Sequence, residues 1–272
     1  MKFAVVAPIA AGVTGDPVWM TEFARHLEAC GFESIIMAEH TVLVTQYTSV
    51  YPYDPSGRVD VAPECPVPDP LETNHHPVML AKRAATVDVL AGGRLRLCVG
   101  VGWLREEIEA CGAGFTSRGR RADEQIEVLR ALWADNPGGV SHHGEFYDFD
   151  HAMSYPKPVA AEGIPIHIGG HSRLAARRAG RLGDGFQPLG VGGAELATLV
   201  EVMRLAAEDA GRDPASLELS LGHLVTKVDA DRAGRLAEVG AGRLVLGMPA
   251  VTEIDEAKDL LSACAQRLGL RP

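Results

Sequence analysis

An α/β fold, a TIM-barrel-like (β/α)8 derivative with seven clear strands, is predicted by three features of the sequence. Apolar runs of strand length alternate with helical patterns along nearly the whole chain, the signature of a parallel sheet with crossover helices. The length of 272 residues is close to the roughly 250 that eight such units need. No linker-like stretch divides the chain, so residues 1–272 are expected to form a single domain.

The strands are expected in KFAVVAP, SIIMAEH, RLRLCVGVG, IPIHIGG, DGFQPLG, LELSLGHLV and RLVLGMP. After the first, Asp16 and Pro17 supply an N-cap and a proline at the first helical position. Trp19, Phe23, Leu27 and Cys30 then form one helical stripe that ends at Gly31. Helices starting near His76, Arg118, Ser172, Ala194, Ala230 and Asp255 repeat the pattern, the last with an apolar face of Leu260, Leu261, Cys264 and Leu268. Two segments break the rhythm. Residues 41–76 are proline-rich and lack a helical period, which marks a long loop expected over the site. GVSHHGEFYDF alternates around His143 and Gly144 and is expected to be an inserted β-hairpin. Seven strands leave the barrel one unit short.

Composition narrows the function. Apolar residues make up 46% of the chain, enough for a substantial core, and the formal charge of −10 opposes general attraction to nucleic acid or anionic lipid. The five cysteines are scattered without C-x-x-C spacing, so neither a disulfide framework nor a zinc site is signalled. Neighbouring histidines such as His142 and His143 tend to diverge on a strand or loop, and no H-E-x-x-H spacing occurs, so no metal is expected. Without a leader-like start or a membrane-length apolar run, the protein is expected to be cytoplasmic, with a small molecule as partner and neither nucleic acid nor membrane.

In parallel α/β architectures ligands bind at the carboxyl ends of the strands. The second strand is expected to end at Glu39 and His40; alternation places His40 on the face of Ala38 and Ile36, where its imidazole could hold or move a proton, or simply bond the loop backbone. In RLRLCVGVGW, Leu95, Leu97, Val99 and Val101 share one face. Arg96, Cys98, Gly100 and Gly102 share the other, which shrinks toward its end and would admit either a flat ring or a crowded barrel layer. Trp103 is expected to pack, and Glu106 and Glu107 to be first-turn acids favoured by a helix dipole. In IPIHIGGHSRLAARRAGRL, Gly169 and Gly170 would let backbone approach a ligand. The amides of His171, Ser172 and Arg173 would offer an anion site, and the same residues also make an ordinary N-capped turn. Arg173, Arg177, Arg178 and Arg181 are expected on a solvated outer face.

Four segments together, HHPVMLAKRAATVDVLAGGRLRLCVGVGWLREEIEACG, RGRRADEQIEVLRALW, HGEFYDF with YPKP, and PIHIGGHSRLAARRAGRLGDGF, resemble the luciferase-like flavin monooxygenase superfamily, and within it the short oxidoreductases that use the deazaflavin coenzyme F420. The resemblance runs in order over almost the whole chain. It implies a barrel that seats an isoalloxazine-like ring at the strand mouth and its phosphate tail near the Gly-Gly-polar turn. By position it assigns His40 to the reactive ring edge, Gly100 and Gly102 to the strand end under the ring, Gly169, Gly170, His171 and Ser172 to the tail, and Gln187 to the mouth. The chain departs from the pattern by lacking one helix-strand unit before residue 75; TVLVTQYT at 41–48 could stand in for the strand. The function implied is hydride transfer between F420 and a small organic substrate in a homodimer. The alternatives are an FMN-dependent monooxygenase and a non-catalytic degenerate barrel acting as a binding or assembly module.

Overall fold

A computed structural model describes residues 1–38, 40–59, 61, 65–67 and 75–271. Their packing divides the chain into two compact units. The first comprises Met1–Gln46, Tyr51–Pro70 and Glu218–Pro272, and the second Tyr47–Val50 and Leu71–Leu217.

The first unit holds four parallel strands in the order β2-β1-β9-β8: β1 Lys2–Val6, β2 Ser34–Ile36, β8 Glu218–Leu224 and β9 Ala241–Gly247. Its helices are α1 Pro17–Ala29, α7 Ala230–Glu238 and α8 Ile254–Leu268. The expected cap of α1 is present: the Asp16 carboxylate accepts the Val18 and Trp19 amides at 2.8 and 3.1 Å, and Pro17 occupies the first turn. The stripe Trp19, Phe23 and Leu27 is buried. At the starting ends of the strands lies Arg243, 2% exposed. Its Nε donates to Glu218 Oε1 at 2.8 Å, Nη2 to Glu33 Oε1 at 3.0 Å and Nη1 to Ser34 Oγ at 2.9 Å, while Lys2 Nζ meets Glu218 Oε2 at 2.9 Å. Burial alone would lower the Arg243 pKa, yet the two carboxylates hold it above the ordinary value, so the group stays charged.

The second unit holds three parallel strands in the order β7-β6-β3: β3 Leu97–Val99, β6 Ile166–Gly169 and β7 Gly185–Gln187. Around them are α2 Pro77–Leu90, α3 Arg105–Ala110, α4 Arg118–Trp133, α5 Arg173–Leu182 and α6 Gly193–Asp209. The predicted hairpin is β4 Val140–His143 with β5 Asp148–Ala152. Its turn is held by Glu124 of α4, whose carboxylate accepts the amides of Glu145, Phe146 and Tyr147 at 2.8 to 3.1 Å and meets His142 Nε2 at 3.1 Å. Here too an ionic cluster gathers the strand starts. Asp184 Oδ2 accepts the Ile166 amide at 2.8 Å and Arg130 Nη2 at 2.9 Å.

All seven predicted strands are therefore found, four in one unit and three in the other. Among the described residues no strand lies between β2 and β3, so TVLVTQYT is not a substitute strand. Residues 40–59 form neither helix nor strand, as expected of the proline-rich segment. One expectation is corrected. Arg178 does not lie on a solvated face: it is buried, paired with Asp123 of α4, and donates through Nη2 to Gly119 O at 2.9 Å. Helix α3 begins at Arg105, so Glu106 and Glu107 lie in its first turn, as expected.

Glu106 proves more than a first-turn acid. Its Oε1 accepts the Thr48 amide at 2.7 Å and the Thr48 hydroxyl at 3.0 Å, and Oε2 accepts the Ser49 hydroxyl at 2.6 Å. The Ser49 hydroxyl and Thr48 amide pull the carboxyl down to about 2. A depressed carboxyl contributes above its ordinary value of 4.5 and loses that contribution as pH falls through about 2. Residues 47–50 should therefore stay anchored at pH 4. Glu106→Gln, which places an amide opposite hydrogen-bond donors, should speed limited proteolysis in this segment at every pH from 4 to 8.

Candidate functional site

The site is built by register. In the second unit Cys98 pairs with His167 and His167 with Gly185, and one row further Gly169 pairs with Gln187. Side chains alternate along each strand, so Cys98, His167 and Gly185 share a face with Gly100, Gly169 and Gln187. The opposite face carries Leu97, Val99, Ile166, Ile168 and Phe186, all buried. This is the division predicted for RLRLCVGVG: Leu97 and Val99 are core, while Cys98 is accessible. The row nearest the carboxyl ends consists of two glycines and a glutamine.

The glycines fall into two kinds. Gly102 has φ +78°, and a Cβ there would approach Ile108 Cδ1 to 3.0 Å; Gly170 has φ +128°, with Ala175 Cβ 3.1 Å from a would-be Cβ. Both are demanded by the backbone. Gly100 and Gly169 are not. Among the described residues a Cβ on Gly100 would meet nothing within 4 Å, and one on Gly169 would make ordinary contacts with Cys98 Sγ at 3.6 Å, Val99 O at 3.9 Å and Gly100 Cα at 4.0 Å. Since the fold would accept alanine at both positions, the space they leave open is available to a ligand. In the first unit, Gly222 of β8 is similarly bare.

The row nearest the strand ends, Gly100, Gly169 and Gln187, carries no ionisable side chain. Cys98 Sγ donates to Gln187 Oε1 at 3.7 Å, reaching over the middle strand because Gly169 carries no side chain. Enclosure by protein atoms pushes the Cys98 thiol up to about 11, against a smaller opposing effect of Arg96, so it is a neutral thiol at physiological pH and no thiolate nucleophile. None of the six residues on this face is a carboxylate; the end row suits a flat ring, and the buried His167 lies one row deeper.

Beside the bed begins α5. The Gly170 amide donates to Gln187 O at 3.2 Å, fixing the turn to β7, and Ser172 Oγ accepts the Ala175 amide at 3.1 Å as an N-cap. Among the described residues the first-turn amides of Arg173 and Leu174 have no protein acceptor, and the Ser172 hydroxyl keeps its proton to donate. An anionic group is the complement of such an end. His171 lies half-buried between Gly170 and Ser172.

The structure thus brings Gly100, Gly169, Gly170, Ser172 and Gln187 to one set of strand ends, with Gly102 shaping the turn into α3. His40 belongs to the first unit. Strand β2 stops at Ile36, so the alternation used to orient His40 does not extend to it; the imidazole sits half-buried in irregular chain four residues beyond the strand. Its neighbour Glu39 lies outside the described residues. Cys98 was missed as a member of the floor, although its place between Arg96 and Gly100 on the shrinking face was visible in the sequence. Among the described residues no group of three or more His, Cys, Asp or Glu is placed to hold a metal ion, and among them no helix is long and apolar enough to cross a membrane.

Comparison with known proteins bears on the family and the fold. A family model described as luciferase-like monooxygenase matches residues 71–265. An uncharacterized protein of Mycobacterium tuberculosis is 31% identical over 220 residues, covering 71% of this chain and 75% of its own. The F420-dependent glucose-6-phosphate dehydrogenase of Segniliparus rotundus is 30% identical over 219 residues, covering 75% of this chain and 63% of its own. Among solved structures, an F420-dependent secondary alcohol dehydrogenase in complex with an F420-acetone adduct superimposes with a TM-score of 0.72 over 98% of both chains at 18% identity. That last likeness shows the fold: α/β and TIM-barrel-like, as the strand pattern predicts.

Proposed function

The chain belongs to the luciferase-like monooxygenase family, and on that premise we propose that it is an F420-dependent oxidoreductase that moves a hydride between the deazaflavin and a small organic substrate. The observation that carries the proposal is the pair Gly100 and Gly169, bare positions that the fold does not require, beside the free first-turn amides of α5. A flat ring fits the glycine row at the strand ends, and a phosphate fits the helix start.

When bound, F420 supplies a ring carbon able to accept or donate a hydride. The protein's residues orient and hold. Gly100 and Gly169 let the ring come down onto backbone; the Cys98 thiol, neutral and tied to Gln187 Oε1, puts no charge beneath it. That bond leaves Gln187 Nε2 to donate to a ring acceptor. The Arg173 and Leu174 amides and the Ser172 hydroxyl take the phosphate oxygens, with His171 flanking them. The family resemblance assigns His40 the proton that accompanies hydride movement on the substrate, which an imidazole nitrogen could take or return. The partners are a small molecule and a second copy of the chain, the latter checked by sedimentation.

Spectroscopic titration with F420 and with FMN tests the proposal. F420 should saturate with a perturbed visible band and a raised melting temperature, and FMN should bind more weakly. Tighter FMN binding would turn the assignment to a flavin monooxygenase. Binding of neither would leave only a non-catalytic barrel. Once a substrate is found, His40→Ala should slow turnover by at least about a hundredfold while changing coenzyme affinity less than about threefold. Unchanged turnover would remove His40 from the chemistry.

A further inference from the structure

Helices α5 and α6 touch as closely as their backbones allow. A Cβ on Gly180 would run into Met203 O and lie 2.8 Å from the Ala207 amide nitrogen, so the side chains beside this contact splay outward. They leave a groove of about 440 Å³ on the surface of the second unit, within the ~300–1,000 Å³ that small-molecule sites occupy. Helix α5 lines it with Arg177 and Arg181, one turn apart and both exposed, as the sequence pattern predicts. Helix α6 supplies Val202, Leu205, Ala206 and Asp209, with Leu205 45% exposed. The groove lies away from the ring bed. At ~1.5 Å per residue, Arg181 is about 12 Å along the helix axis from Arg173, the first residue of α5. Just beyond α5, Asp184 accepts the Ile166 amide at the start of β6, so this end of the helix lies at the strand starts, opposite the glycine row. The positive charges are poorly answered. Among the described residues Arg177 has no hydrogen-bonding or ionic partner, and Arg181 reaches only Asp123, at 3.7 Å, a carboxylate that Arg178 already holds. Asp209 lines the same groove without pairing with either arginine.

We propose that this groove binds a soluble amphiphile with a carboxylate head and a single apolar chain, a medium-chain fatty acid, with the head between Arg177 and Arg181 and the chain along Val202, Leu205 and Ala206. Two guanidinium groups a turn apart can share one carboxylate, and the exposed leucine gains by being covered. Asp209 orients the ligand. Its charge keeps the head on the α5 wall and opposes a dianionic phosphate more than a monoanionic carboxylate. The protein's net charge of −10 opposes an anionic membrane surface as the occupant. No part of the site depends on which coenzyme the ring bed holds.

Isothermal titration calorimetry with decanoate and with decan-1-ol, each below the concentration at which it aggregates, tests the site in wild type, in the double variant Arg177→Met/Arg181→Met and in Leu205→Ser, all checked for their melting temperatures. Decanoate should saturate a single site on wild type. It should bind the double variant at least about tenfold more weakly and Leu205→Ser about fivefold more weakly. Decan-1-ol should bind wild type about tenfold more weakly than decanoate does and should not distinguish wild type from the double variant. Absence of saturable decanoate binding to wild type would overturn the proposal. Equal decanoate affinities in wild type and the double variant would do the same, because the anion would then sit elsewhere. A loss in the double variant with none in Leu205→Ser would also overturn it, leaving a bare anion contact without a place for the chain. If the double variant does not fold, Arg177→Met decides in its place: a loss of about threefold or more sustains the proposal and an unchanged affinity refutes it.

Discussion

Gly169→Ala and Gly100→Ala should each leave the free protein as stable as wild type, or slightly more so, while weakening coenzyme binding by at least about tenfold, roughly 1.4 kcal/mol. The stability side follows from the space. A methyl group at 169 would meet its neighbours at 3.6 Å or more, at 100 it would meet nothing, and neither residue has positive φ. The unfolded chain loses freedom when glycine becomes alanine, which favours the folded state by about 0.4–1 kcal/mol where the native backbone accepts it. The binding side follows from the bed: one methyl group lifts a flat ring off the backbone and costs it contact along a whole edge. Gly170→Ala makes the contrast. At φ +128° an L side chain is strained, so this variant should lose about 1–3 kcal/mol of stability before any ligand is added. Thermal melts with and without F420 separate the two kinds of glycine. Destabilised Gly100→Ala and Gly169→Ala proteins would mean that these glycines serve packing.

Arg243→Met should be the most damaging single change to stability away from the site, about 3 kcal/mol by denaturant titration. The side chain reaches Glu33, Ser34 and Glu218, so it links the starts of β2 and β8 through β9, and Lys2 on β1 joins through Glu218. Removing the guanidinium leaves the Glu33 and Glu218 carboxylates without the charge they share, and a thioether cannot donate to the Ser34 hydroxyl. Lys258→Met, which breaks the half-exposed contact with Glu22 at 2.6 Å, should leave the midpoint nearly unchanged. The contrast matters for function, because the ionic staples gather at the strand starts of each unit and the bare glycines at the strand ends of the second. Stability and binding are assigned to opposite ends of the same strands, the division expected of barrel architectures.

Much of this was legible in the sequence because it rests on short-range periodicity. Leu97 and Val99 against Cys98 and Gly100 is an alternation of period two, and it survives in a strand of only three residues. Asp16-Pro17 and Ser172 are caps whose partners lie within three residues, so local chemistry fixed them. What depends on distant partners was not legible. Arg178 on a basic helix looked solvated because its counterpart, Asp123, is 55 residues away on α4. Glu106 looked like a dipole acid until Thr48 and Ser49 arrived from a loop. The two glycine pairs read alike on paper; only φ and the neighbouring atoms show that Gly102 and Gly170 serve the chain and that Gly100 and Gly169 leave room. For His40, alternation failed because β2 ends at Ile36, before the register could carry that far.

The most direct test of the bed is the reactivity of Cys98, whose sulfur would lie 3.6 Å from a Cβ at Gly169 and would be covered by a ring bound as proposed. The protein is treated with a neutral maleimide at mildly alkaline pH, with and without saturating F420, and labelling at each cysteine is followed by peptide mass spectrometry. Because its thiol is pushed up to about 11, Cys98 should label slowly in the free protein. With F420 its labelling should fall by at least about tenfold, while that of Cys30 and Cys111 stays the same. Equal labelling of Cys98 with bound F420 and without it would contradict the account, because the ring would then lie elsewhere.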